Sequence, residues 1–143
     1  MPDEWYGVLQ REFSAEEGSF LLQLRTEMIW DKAAFTRLTT AMLECCKAYD
    51  RTFRPPETLP LSETQLETLL ADYYQQSVPR WLAEGFWYLS DFPKGHTSHP
   101  AWHDTIAREP EYYDKAYWRL FILADWFFTG QGPLDPDKRF APM

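Results

Sequence analysis

The stretch between Pro110 and Gly130 constrains this chain more than any other part of it. It carries Tyr113, Tyr117, Leu120, Phe121, Leu123, Ala124, Phe127 and Phe128 at steps that place apolar side chains on more than one side of a helix. A helix apolar nearly all round is ordinarily surrounded by other helices. Pro110 suits the first helical turn, and Gly130 can take the left-handed conformation that closes a helix. The run does not qualify as a membrane span, because Arg119 and Asp125 interrupt it short of the ~18–20 apolar residues required. We therefore expect segment 110–129 to be the central element of an all-α domain.

Other segments supply the helices to pack against it. Ser14 and Glu17 have capping-box spacing and open a segment with Phe20, Leu21, Leu24, Met28 and Ile29. The same stretch also alternates, with Phe20, Leu22, Leu24, Met28 and Trp30 on one parity, so positions 20–30 admit a strand, with helix preferred. Asp31 can cap the next helix, where Phe35, Leu38, Met42, Cys45 and Tyr49 form one stripe. Ser62 and Gln65 make a second capping box, ahead of Leu66, Leu69, Leu70, Tyr73 and Tyr74. Pro79 suits the start of a helix running to about Ser90 through Trp81, Leu82, Phe86 and Leu89. A loop from Asp91 to His99 leads to a short turn of helix through Ile106. With 143 residues the chain has the length of one domain. The expectation is a compact single-domain bundle of about five helices with irregular crossings over 1–130, then an extended or disordered tail over 131–143.

Charge and cysteine content narrow the function classes. The chain has 22 acidic against 14 basic residues, a net charge of −8, which disfavours nucleic acid as a partner because phosphate contacts need a basic stripe. Glu57, Glu63, Glu67, Asp72, Glu84 and Asp91 are opposed by Arg80 alone between Pro55 and Pro93. Such a field can steer a basic partner. The N-terminal Met1-Pro2-Asp3-Glu4 lacks the basic and apolar regions of a secretory signal, and Cys45 and Cys46 are adjacent, unlike a disulfide framework. A cytoplasmic location fits these features. The glycines form no phosphate-binding loop, and no nucleophile elbow occurs.

Three constellations could carry chemistry. All histidines lie between Gly95 and Asp104, where His96, His99, His103 and Asp104 are ligand types for zinc or another first-row metal. The bland reading makes His99 a helix cap and leaves the others on the surface or against Trp102. Cys45 lies on the apolar stripe, which favours packing over reactivity. Asp125, between Ala124 and Trp126, would be costly to bury without a partner such as Arg80 or Arg119. With Glu84 or Asp114 it could form an acid–base pair or hold a cationic ligand.

Trp87 and Trp118 fall outside the stripes assigned to the core. Rings half exposed beside acids are what interface centres use. The leading expectation is a non-enzymatic interaction protein without a cofactor, an adaptor or toxin-neutralising, immunity-type inhibitor of a basic protein. Its binding surface would comprise Glu63, Glu67, Asp72, Tyr73, Tyr74, Trp87 and Trp118. The competing expectation is a metal- or small-molecule-binding helical domain, or an enzyme of that kind, with its site near the 91–104 loop. A homodimer seam is a third use for the surplus rings.

Overall fold

The computed structural model describes residues 4–50, 63–64, 78–141 and 143. Seven α-helices occur among them: α1 (Glu4–Phe13), α2 (Phe20–Leu22), α3 (Lys32–Ala48), α4 (Arg80–His96), α5 (His103–Arg108), α6 (Pro110–Thr129) and α7 (Pro136–Arg139). A π-helical turn, Gln23–Glu27, extends α2, and a 3-10 turn, Pro100–Trp102, precedes α5. No strand occurs among the described residues. The architecture is all-α, with more helices than the five expected. The helix expected after Ser62 lies outside the described residues, apart from Glu63 and Thr64, which are helical.

The first boundary differs from the capping-box expectation. Ser14 and Glu17 do not open a helix but follow the end of α1. There Glu16 N–H donates to Arg11 O (3.1 Å) and Ala15 N–H to Glu12 O (3.0 Å), with Ala15 left-handed at φ 55°. This paired pattern is a Schellman stop. The start of the next helix belongs to Ser19, whose extended backbone lets Oγ accept from Leu22 N–H (3.2 Å). A capping box needs its serine extended. Ser14 instead donates its hydroxyl back to Gln10 O. Met28 then ends the π turn in the left-handed region, so Met28 and Ile29 point outward while Leu24 stays buried.

Asp31 caps α3, its Oδ1 accepting from Ala34 N–H (3.0 Å), and Phe35, Leu38, Met42 and Cys45 are all buried along one side. The fourth helix begins at Arg80 and runs six residues beyond Ser90, to His96, through Pro93. A proline inside a helix forgoes one hydrogen bond and crowds the preceding turn, at a cost of about 3 kcal/mol. Here Pro93 is buried with Leu89, and Thr97 secures the end by donating its hydroxyl to Pro93 O (2.7 Å) and hydrogen-bonding the Tyr117 hydroxyl.

Helix α6 packs against both α3 and α4. Phe127 stacks on Phe86 of α4, with centroids 4.1 Å apart and planes within 7°. Cys46 of α3 donates its thiol to Leu123 O (3.3 Å). Trp30 joins α2, α3 and α6: its ring meets Phe20, Phe35 and Tyr113, and its indole N–H donates to the Tyr112 hydroxyl (3.0 Å). Gly130 closes α6 at φ 74°, donating to Trp126 O (2.7 Å).

The described segment 131–141 is not extended throughout. It folds back over α6 and forms α7, and buried Phe140 stacks on Trp126 (6.4 Å). Lys47 pairs with Asp137 (2.6 Å), and Arg119 donates to Ala141 O (2.6 Å). Gly132 runs so close beneath Trp126 that a Cβ there would sit 2.2 Å from the indole.

Candidate interaction surface

The buried side of α6 consists of Tyr113, Ala116, Leu120, Leu123, Ala124 and Phe127. At 100° per residue a second row lies about 140° round the helix from it. That row is Glu111, Asp114, Trp118, Phe121, Asp125 and Phe128, stepping 3, 4, 3, 4, 3, and every member is exposed. Two rows on separate faces explain why the segment reads as apolar nearly all round, although one face is open. Trp118 and Phe121 stack on each other at 5.9 Å and are 58% and 53% exposed. Beside Trp118, on the side of the returning tail, Lys115, Arg119, Ile122, Arg139 and Phe140 line a hollow of ≈ 240 Å³.

Asp125 is therefore not the buried carboxylate the sequence suggested. It is exposed within the outer row. Its neighbours Ala124 and Trp126 are buried because they lie one step, about 100°, to either side. Asp114 and Asp125 share that row eleven residues apart, about 16 Å along the axis, too far to act as one acid–base pair. Glu84 lies on α4 and accepts from Arg80 Nε (2.7 Å). The three acids thus do not converge on one pocket.

Trp87 is the most exposed tryptophan described, at 69%. It stands in the outer row of α4 with Arg80, Glu84, Asp91 and Lys94. It also borders an open groove of ≈ 880 Å³ between α1, α2 and α4, whose lining includes Phe13, Glu16, Arg25, Trp81, Glu84 and Tyr88. Of the other expected partner-binding residues, Glu63 is exposed, whereas Glu67, Asp72, Tyr73 and Tyr74 lie outside the described residues.

The histidines are not brought together. His96 stacks on Phe92 (5.1 Å) and meets the edge of buried Trp102 (6.3 Å). His99 caps the 3-10 turn, its Nδ1 accepting from Ala101 N–H (3.1 Å). His103 and Asp104 are exposed on the first turn of α5. Among the described residues, no group of three or more His, Cys, Asp or Glu side chains could hold a metal ion. The cysteines are both buried. Burial pushes the Cys45 thiol up to about 12 and Cys46 higher still, so neither supplies a thiolate nucleophile.

Sequence reasoning missed Glu12. Its carboxylate is buried, with the residue only 3% exposed. It accepts from Phe20 N–H (2.8 Å) and from Arg37 Nη2 (3.2 Å), joining α1 to the start of α2 and to the second turn of α3. Burial raises its pKa above the ordinary value, the Phe20 and Arg37 contacts lowering it only in part. The sequence signal was available: Glu12 falls three residues after Leu9, on the buried side of α1.

No family model, curated protein or solved structure was found to match this chain. Among the described residues, no helix is long and apolar enough to cross a membrane.

Proposed function

We propose that this protein is a non-enzymatic interaction module that binds a basic protein, as an adaptor or as an inhibitor of the immunity type, in the cytoplasm. The observation that carries this reading is the stacked, exposed Trp118–Phe121 pair set between Asp114 and Asp125 on a well-anchored helix. Rings on a rigid helix lose little conformational freedom on binding, and flanking carboxylates favour cationic partners. The net charge of −8 extends the same preference over long range. Trp87 on α4 offers a second aromatic anchor.

The test is capture from native lysate with the full chain as bait. A basic protein should be retained at low salt, released by 0.5 M NaCl, and lost with a bait carrying both Trp87→Ala and Trp118→Ala. Retention of only acidic proteins, or binding indifferent to salt and to both substitutions, would overturn the proposal.

A further inference from the structure

We infer that the outer row of α6 is the seat for a basic amphipathic helix of the partner protein, resting on the reading of this chain as a binder of basic proteins. The row steps 3, 4, 3, 4, the spacing by which one helix seats another along a seam. Trp118 and Phe121 form its apolar centre, and Asp114 and Asp125 stand one step beyond at either end. The matching helix carries apolar side chains at its middle and two Arg or Lys eleven residues apart, about 16 Å along its axis. The hollow of ≈ 240 Å³ beside Trp118 takes one further apolar side chain. Its rim carries Lys115, Arg119 and Arg139, so cations of the partner are confined to the aspartate side, which fixes orientation.

Charge also decides between occupants. In a two-fold antiparallel pairing of this seam with a second copy, Trp118 would meet Phe121 only in the register that sets Asp114 opposite Asp125, twice over. Moving the centre toward the C-terminal end puts Asp125 against Phe121. A parallel pairing opposes each aspartate with itself. Each arrangement sets like charges together or covers a carboxylate with a ring, and both are unfavourable. The chain's own segment 63–76 is a poor occupant for the same reason, since its charged residues Glu63, Glu67 and Asp72 are all acidic.

The probe is a capped 21-residue helical peptide with leucine along one seam and arginine at two seam positions eleven apart. A control peptide carries glutamate at those two positions. Calorimetry and Trp fluorescence at 50 mM NaCl should show the arginine peptide binding at least tenfold tighter than the control. Trp118→Ala should weaken it at least tenfold, and Asp114→Arg with Asp125→Arg should reverse the preference between peptides. These residues are exposed, so circular dichroism should report an unchanged fold. Equal binding of both peptides, or no reversal, overturns the inference. So does a dimer in light scattering that Trp118→Ala dissolves, or a Trp118 ring closed to quenchers in the free monomer. If a basic lysate protein ignores the α6 variants but is lost with Trp87→Ala, the seam is wrong while the binder reading survives. If the arginine peptide seats as expected while no basic protein is captured, the binder reading fails alone.

Discussion

Glu12 is the residue whose charge has most at stake. A buried carboxylate is tolerable only with donors around it, and here they are the Phe20 amide and the Arg37 guanidinium. The Arg37 side chain is half exposed, so the ion pair itself contributes little. What matters is the buried Phe20 N–H. Glu12→Ala leaves it unpaired, and chemical denaturation should show a loss of about 2–3 kcal/mol. Glu12→Gln keeps an acceptor and should lose less than about 1 kcal/mol. The pH dependence has a defined sign. Because burial raises the folded-state pKa above 4.5, the folded protein binds this proton more tightly than the unfolded chain does. The resulting stabilisation is complete below pH 4.5 and is lost as pH rises through the raised value. Denaturation at stepped pH should therefore show wild type gaining on Glu12→Gln as pH falls from 7 to 4, and a constant difference would refute it.

Helix ends, more than helix interiors, set the course of the chain. The Schellman stop at Ala15 turns α1 away, and its left-handed backbone is one that alanine adopts at a cost near 1 kcal/mol and glycine adopts freely. Ala15→Gly should thus raise thermal stability, by about 0.5–1 kcal/mol, with no change in helix content by circular dichroism. Stops of this kind are hard to read from sequence when glycine is missing. Ser14 and Glu17 had the spacing of a start, and only the Arg11 and Glu12 carbonyls meeting the next amides made them follow a stop. The fourth helix departs in the opposite sense, running past the expected end at Ser90 and through Pro93. This proline reads as a breaker, yet its ring is buried, and tertiary contact outweighs the lost hydrogen bond. By contrast, Asp31 and Gly130 sit where local backbone chemistry acts without tertiary help, and both perform the capping role their types suggest.

At the scale of the whole molecule, the C-terminal segment closes the domain. Phe140 covers Trp126, Gly132 passes beneath the indole, and Asp137 and Ala141 tie the strap to α3 and α6. Removing residues 131–143 should expose Trp126, with a red-shifted fluorescence maximum and a loss exceeding the about 2–3 kcal/mol expected for Phe140→Ala alone. A truncated chain as stable as the full one would show the strap to be ornamental.

The amino-acid sequence by itself determined the helical class, the stripe of α3 and the span of α6, because spacing, caps and proline or glycine punctuation act within a few residues. Trp87 and Trp118 were also legible as rings outside the core, being out of phase with their neighbours. Only the tertiary structure decided which face of α6 is covered, that Asp125 lies on the open one, and that the histidines stay apart. Those outcomes depend on which helices arrive from distant parts of the chain, and a side chain's spacing along its own helix does not say what will pack against it.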